Sequence, residues 1–211
     1  MLSDKSEIIS DFRKLGIKKG DFLFLTADLM KVGYFNSSIE KTEKDWLEIL
    51  YEVVGDNGDI ICPAYTPSFF KYKRNKDLIF HEDMPSTSGA LSNILIKSVN
   101  SIRSSHPTNS YIGFGNRAEQ ILMQHDETKG AYQVFEDILL FNPKHLMMGT
   151  IIKGHAPLPF HQILYSIGHN NKHPLSGFMQ VYFMKNGKKR IFTRNDIGGC
   201  SDGGIKLLAE T

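Results

Sequence analysis

Two histidine-containing segments carry groups that could move a proton or bind an anion. In the first, residues 149–161, a strand end and a Gly-rich loop with His155 lead into a helix that starts near Leu158. His161 would lie in the first turn of that helix, at a place where open α/β sheets bind ligands. The positive helix end favours neutral imidazole, the form that a general base needs. The chemistry alone leaves a packed or surface histidine equally open.

The second segment is residues 103–110 (RSSHPTNS), which precedes an apolar run. It puts the cation of Arg103, the imidazole of His106 and several hydroxyl groups in one loop. Such density is unusual for a plain connection and favours a binding role. A lone histidine in a loop is usually a structural hydrogen-bonding residue, so the residue types leave both roles open for His106.

A third candidate is the turn at residues 85–90 (PSTSGA), directly before a stretch of helical spacing. Hydroxyl groups and backbone N–H groups at a helix start suit an anion such as phosphate. Ser and Thr residues also cap helices without any ligand, and this is their commoner role. The turn alone therefore gives only a weak indication of a phosphate site.

Several common chemistries are not indicated. The sequence has no Gly-x-Gly-x-x-Gly after a strand, no P-loop, no Gly-x-Ser-x-Gly and no Cys-x-x-Cys. These absences argue against dinucleotide oxidoreductases, P-loop kinases and the common serine hydrolases. Two histidine pairs are possible zinc ligands by residue type alone. His155 and His161 are not spaced for one helical face, and His169 and His173 lie on a polar loop without a nearby carboxylate or thiolate, so we expect no metal.

The composition is that of an ordinary globular domain. The 211 residues are 41% hydrophobic and 23% charged, and the net charge of +2 gives no argument for binding nucleic acid or a membrane surface. No sequence pattern pairs Cys62 with Cys200, so we expect reduced thiols. The N-terminus lacks a signal-peptide pattern and no apolar run has the length of a membrane span, so we expect a cytoplasmic protein.

Hydrophobic periodicity predicts alternating strands and helices. Apolar runs predict strands over residues 21–26, 59–62, 110–114 and 145–148. Helical spacing, with Asn116 as one cap, predicts helices over residues 3–15, 42–54, 86–97, 116–124, 131–140 and 158–167. Alternating runs around Asn186-Gly187 predict a hairpin. We expect a single-domain layered α/β/α fold with a mixed, largely parallel sheet, in which the hairpin is an antiparallel addition.

Six segments, in this order and at compatible spacing, resemble one known family. They are LGIKKGD (15–21), LMKVG (29–33), GDIICPAYT (58–66), MPSTSGAL (84–91), RSSHPTNS (103–110) and the strand, loop and helix start at 149–161. The family is that of the aminoglycoside 3-N-acetyltransferases, also called antibiotic N-acetyltransferases. The resemblance spans nearly the whole chain, and the fourth and fifth segments are its most specific stretches.

The resemblance implies a single α/β domain over residues 1–211 that is unrelated to the GNAT acetyltransferases and short at its C-terminus. It implies direct acetyl transfer from acetyl-CoA to an amine, without an enzyme nucleophile or a metal. His161 would be the general base, and His106 would shape the same catalytic site. Thr26, or backbone N–H groups after the first strand, would stabilise the oxyanion. The residues implied to line the CoA site are Thr26, Ser86, Thr87, Ser88, Gly89, Arg103, Ser104, His106, Thr108 and Ser110.

Three departures from the family pattern bear on the acceptor. The pattern Thr-x-x-His-x-x-Glu keeps only its histidine here, because Leu158 and Leu164 replace the other two residues. The usual Ser-Ser pair after the first strand is Ala27-Asp28, and the chain ends soon after residue 199. Aminoglycosides are polycations, whereas this chain is slightly basic and lacks the Glu. We therefore favour another amino sugar as acceptor, whether free, in a glycan precursor or nucleotide-linked.

Two alternative functions stay open. One is aminoglycoside 3-N-acetylation that confers antibiotic resistance, and the other is a non-catalytic member that binds CoA or a sugar. The expected partner is a small-molecule amine acceptor, with no nucleic acid and no membrane, and a homodimer is left open.

Overall fold

The structure, a computed structural model of the chain, describes residues 4–67, 78–149 and 179–194. In chain order these residues form α1 (Lys5–Lys14), β1 (Phe22–Ala27), α2 (Leu29–Val32), α3 (Ile39–Val54), β2 (Asp59–Pro63), β3 (Ile79–Phe80), α4 (Ala90–Ile96), β4 (Ile102–Arg103), β5 (Tyr111–Phe114), α5 (Asn116–Gln124), α6 (Gln133–Leu139), β6 (Lys144–Met148), β7 (Met179–Lys185) and β8 (Lys188–Arg194). The helix predicted over residues 158–167 lies outside the described residues.

A five-stranded sheet in the order β4-β5-β2-β1-β6 forms the centre of the fold. β1 runs parallel to both β2 and β6, whereas β5 runs antiparallel to both β2 and β4. Helices and strands alternate along the chain, so the prediction of an α/β fold with a mixed sheet is confirmed. Parallel and antiparallel pairings contribute two each.

Both faces of the central sheet are covered, which gives the three layers. Because side chains alternate along a strand, Leu23 and Leu25 of β1 face one apolar core, and Phe22 and Phe24 face another. The first core is completed by residues of α1, α3 and α4, and the second by residues of α5 and α6. The strands are therefore apolar on both faces, as expected for a sheet between two helical layers.

Local capping explains where the first helices begin. Asp4 forms a capping box with Glu7 at the start of α1. Ser38 accepts a hydrogen bond from the backbone N–H of Lys41, so α3 begins at residue 39 instead of the predicted residue 42. The four-residue helix α2 was not predicted; the Asp28 side chain caps it and Gly33 ends it in the left-handed conformation.

Two helix starts were predicted wrongly, for the same physical reason. The prediction that Asn116 caps α5 is wrong, because the carboxylate of Asp59 on β2 accepts from the backbone N–H groups of Arg117 at 2.7 Å and Ala118 at 2.9 Å. Likewise, α4 begins at Ala90 rather than residue 86 and has no side-chain cap. At α5 the distant residue Asp59 replaces the local cap, whereas at α4 the serines that could have capped the helix bond a distant residue instead and the helix is left without a side-chain cap.

The predicted hairpin is present but belongs to a different sheet. Asn186 and Gly187 both have positive φ, 52° and 69°, as a two-residue type I′ turn requires. β7 and β8 form a second, three-stranded sheet with β3, which pairs parallel to β7. The interpretation that this hairpin makes the main sheet mixed is therefore corrected, since β5 does so instead. Within the residues that the structure describes, no helix is long and apolar enough to cross a bilayer.

Candidate active site

The sheet brings the predicted segments to one edge. β1, β2 and β6 are mutually parallel, so their carboxyl ends lie together. β5 runs the opposite way, with Tyr111 opposite Pro63 at the end of β2. The connection from β4 to β5, residues 104–110, therefore lies at this same edge. We call it the carboxyl edge; it also includes Gly149, which follows β6.

The turn at residues 85–89 is attached to the backbone of Tyr65, just beyond β2. The carbonyl of Tyr65 accepts from the backbone N–H of Thr87 at 2.7 Å and from the hydroxyl groups of Ser86 and Thr87, each at 3.1 Å. The backbone N–H of Tyr65 donates to Ser88 Oγ at 2.9 Å. These bonds explain why the serines of this turn do not cap α4, and they fix the turn at the carboxyl edge.

Gly89 brings the same turn against β1. Its φ of 114° is one that residues with a side chain rarely adopt, and a Cβ here would lie 3.3 Å from the carbonyl oxygen of Ala27. Thr26 lies beside this contact in β1, partly buried and paired with Met147 of β6. The first turn of α4 and the end of β1 are therefore close neighbours.

Arg103 joins the segments of the edge through backbone carbonyls. Its buried guanidinium donates to the carbonyl oxygens of Glu82 at 2.7 Å, Met84 and Ala64 at 2.5 Å, and to Ser110 Oγ at 3.2 Å. Burial lowers the pKa of Arg103 to about 10, so the group stays charged at neutral pH. Its hydrogen-bond donors are thus directed at the protein itself.

The imidazole of His106 is held in one protonation state by its own loop. Its side chain is fully buried, and Nδ1 lies 3.1 Å from the backbone nitrogen of Asn109 and 3.3 Å from that of Thr108. A backbone N–H can only donate, so Nδ1 must be an acceptor. The hydrogen of neutral His106 is therefore on Nε2, and this histidine can act there as a donor but not as a base.

The two serines of this loop are also buried. Ser104 Oγ accepts from the backbone N–H of Tyr111 at 2.9 Å, and Ser110 Oγ donates to the carbonyl of Ala64 at 2.7 Å. Both hydroxyl groups thus support the loop that carries His106.

Gly149 ends β6 in a backbone conformation that favours glycine, close to the backbone of Asp28. Its φ is 70°, and a Cβ would lie only 2.3 Å from the carbonyl oxygen of Asp28. The residues after 149, among them His155 and the predicted base His161, lie outside the described residues. The position of His161 therefore stays a prediction.

The sequence profile of the aminoglycoside 3-N-acetyltransferase family matches residues 24–201. The chain belongs to this family of N-acetyltransferases. Among solved structures, AAC-IIIb in a binary complex with CoASH is 18% identical, with a TM-score of 0.71 over 100% of this chain and 84% of that one. AAC-VIa bound to sisomicin is 19% identical, with a TM-score of 0.69 over 90% and 74% of the two chains. The YokD protein from Bacillus subtilis is 18% identical, with a TM-score of 0.66 over 89% and 78%.

One buried histidine of this N-acetyltransferase was missed by the sequence reasoning. His125 follows α5, is 1% exposed, and stacks on His106 with ring centroids 4.8 Å apart and planes 12° apart. Nineteen positions separate the two residues, and no motif in the sequence connects them. Only the packing of α5 against the sheet brings them together.

The thiol of Cys62 has no role that the structure indicates. It is free and buried in the core of the N-acetyltransferase. Burial raises the pKa of this thiol, which makes it a poor nucleophile. Cys200 lies outside the described residues.

Proposed function

We propose that this N-acetyltransferase moves the acetyl group of acetyl-CoA to an amino group of an amino sugar at the carboxyl edge. The observation that carries the proposal is the convergence there of the 85–89 turn, the loop at residues 104–110 and Gly149, within a chain of this family. We further propose that residues 1–211 form a single domain.

Neutral donors at this edge suit the acetyl-CoA thioester. The N-terminus of α4 has no side-chain cap, so its first backbone N–H groups are donors without a capping partner from their own turn. Ser88 Oγ accepts from Tyr65, so its hydroxyl hydrogen can donate to a bound molecule. The proposed oxyanion donors are Thr26 and the N–H groups after β1 other than that of Asp28, which already donates to the carbonyl of Met148 at 3.0 Å. The bound thioester supplies an activated acetyl carbon, which the acceptor amine attacks directly.

The proton chemistry divides between two histidines. His161 would accept the proton of the attacking amine on a ring nitrogen while the new C–N bond forms, the C–S bond breaks and CoA leaves as its thiolate. His106 is excluded from that role by the acceptor state of its Nδ1. We propose that His106 donates from Nε2 and orients the reacting groups. The acceptor state of His106 Nδ1 thus supports His161 as the proposed base.

We propose an amino sugar that is not a polycation as the acceptor. Net charge and the missing Glu favour a neutral or phosphate-bearing amino sugar over a polycation. One observation favours an aminoglycoside instead: the exposed carboxylates of Glu82 and Asp83 lie next to the turn at the carboxyl edge. AAC-VIa, which shares the fold, has been solved with sisomicin bound. Aminoglycoside acetylation is therefore the second candidate function.

The deciding experiment measures free thiol released from acetyl-CoA in the presence of aminoglycosides, free amino sugars and nucleotide-linked amino sugars. Thiol release with one acceptor class, and mass gain of one acetyl group on that acceptor, supports the proposal and names the class. Release with aminoglycosides alone favours the second candidate. Binding of acetyl-CoA without thiol release for any acceptor refutes catalysis and favours a non-catalytic member.

A matched pair of variants tests the roles of the histidines. His161→Ala should lower kcat by roughly 10²–10⁴-fold while acetyl-CoA still binds. His106→Gln keeps a side chain that can donate and accept, so it should retain more activity than His106→Ala. If His106→Ala alone abolishes turnover and His161→Ala has no effect, the assignment is reversed.

A further inference from the structure

His125 forms a hydrogen-bond chain whose direction is fixed at both ends. Tyr111 N–H donates to Ser104 Oγ at 2.9 Å, and Ser104 Oγ lies 3.1 Å from His125 Nδ1. His125 Nε2 lies 3.1 Å from the carbonyl oxygen of Gly130. A carbonyl can only accept, so Nε2 carries hydrogen, and the Ser104 hydroxyl donates to Nδ1. Neutral His125 is therefore the tautomer that carries its hydrogen on Nε2.

The ring held in this way forms one wall for His106. The two imidazole planes are nearly parallel at 4.8 Å, and the ring of Phe192 on β8 meets His106 edge-on at 5.2 Å and 77°. A flat neighbour on one face and a perpendicular ring beside it restrict rotation of the His106 ring about χ2. Both ring nitrogens of His125 are bonded within the protein, to Ser104 and to Gly130, so neither is left for a substrate.

The segment that carries His125 is tied to the second sheet as well. Lys185 at the end of β7 forms ion pairs with Glu127 and, at 3.6 Å, with Asp126, the residue after His125. The same hairpin supplies Phe192. Lys185 therefore links the segment that carries His125 to the hairpin that carries Phe192.

We propose that His125 is a positioning residue for acetyl transfer: its ring holds the plane of His106, and the chain from Tyr111 through Ser104 to Gly130 holds His125. The proposal rests on the proposed function, in which His106 orients the reacting groups. It assigns no substrate contact to His125. Its effect on rate comes through the geometry of His106, to which catalysis is sensitive, because a misplacement of about 1 Å can cost on the order of 10²-fold in rate.

Two substitutions of His125 separate positioning from simple stabilisation. His125→Ala removes the ring and the hydrogen bonds, and kcat should fall by about 10- to 100-fold with little change in KM for acetyl-CoA. His125→Phe restores a flat ring but leaves Ser104 and Gly130 without their partner, so it should recover most of kcat without recovering the melting temperature. Leu122→Ala, a core truncation on α5, is the control for lost stability alone.

Nitrogen NMR of the histidine rings tests the proposal without any turnover. In the wild-type protein, long-range ¹H–¹⁵N correlation should show His106 as a single Nε2–H tautomer. The loop N–H groups still fix this tautomer in His125→Ala, but the ring has lost its stacking partner, so the His106 signal should shift and broaden, and His125→Phe should largely restore it. If kcat follows melting temperature across all three variants, or if the His106 signal is unchanged in His125→Ala, the proposal is overturned. Absence of activity in the wild type with an intact Nε2–H signal would refute the proposed function alone.

Discussion

Replacing Arg103 with lysine distinguishes an internal anchor from a phosphate ligand. The family resemblance implies that Arg103 lines the CoA site, whereas its guanidinium bonds three backbone carbonyls and one serine hydroxyl. A lysine keeps the charge but cannot span the three carbonyls, because its ammonium is a single point on an unbranched stem. The two roles therefore predict different losses for the same change.

The size of the stability loss follows from the partners that remain. A hydrogen bond to a charged group contributes about 1.5–3 kcal/mol. Water can replace the guanidinium at Glu82 and Met84, which flank an exposed turn, and Ala64 keeps its bond from Ser110. We expect Arg103→Lys to lose about 2–4 kcal/mol of the free energy of unfolding, a fall of roughly 5–15 °C in Tm for a chain of this size.

Kinetics with two acetyl donors complete the assay. If Arg103 is an anchor, acetyl-CoA and S-acetyl-pantetheine, which lacks the phosphates, should lose the same factor in kcat/KM. If Arg103 binds phosphate, kcat/KM should fall for acetyl-CoA only, and Tm should not change. Arg190→Lys, at an exposed arginine of β8, is the control and should change neither. An unchanged Tm together with a loss confined to acetyl-CoA would refute the anchor.

Three further predictions address the base, the far end of the sheet and pH. Acetyl transfer by His161→Ala should regain activity at higher pH, where a larger fraction of the amine is already unprotonated, and a pH–rate profile checks this. Asp59→Ala removes the cap of α5 and the partner of Arg117, so urea unfolding should show a loss of about 2–4 kcal/mol with unchanged kcat. The hydrogen bond from Tyr34 lowers the pKa of Asp45, so this carboxylate stabilises the fold above its unfolded pKa and less as pH falls; Asp45→Asn should flatten the decline in Tm below about pH 4.

Periodicity predicted the central elements well, since β1, β2, β5 and β6 each lie within about a residue of the apolar runs that indicated them. What it missed depends on partners distant in sequence. The start of α4 depends on Tyr65, and the cap of α5 comes from Asp59. A serine before an apolar run predicts a helix cap, because a local sequence pattern carries no information about distant partners.

The same limit applies to the candidate site. Residues 85–89 and 103–110 stood out because polar groups are dense there, and both lie at the carboxyl edge. His125 has no such neighbourhood in sequence, so its stacking on His106 could not be predicted. The hydrogen-bond partners of Arg103 could not be predicted either, because they are backbone carbonyls, which every residue type has.

Because Arg103 bonds backbone carbonyls, the residues around it can be substituted without loss of these hydrogen bonds. An arginine that bonds main-chain oxygens can make these hydrogen bonds whatever side chains stand at positions 82 and 84. Burial lowers the pKa of Arg103 and the carboxylates of Glu82 and Asp83 oppose this, so positions 82 and 83 can be varied in size while the anchor persists, provided that no positive charge is introduced. A library randomised at these two positions offers a route to altered acceptor preference on an unchanged framework.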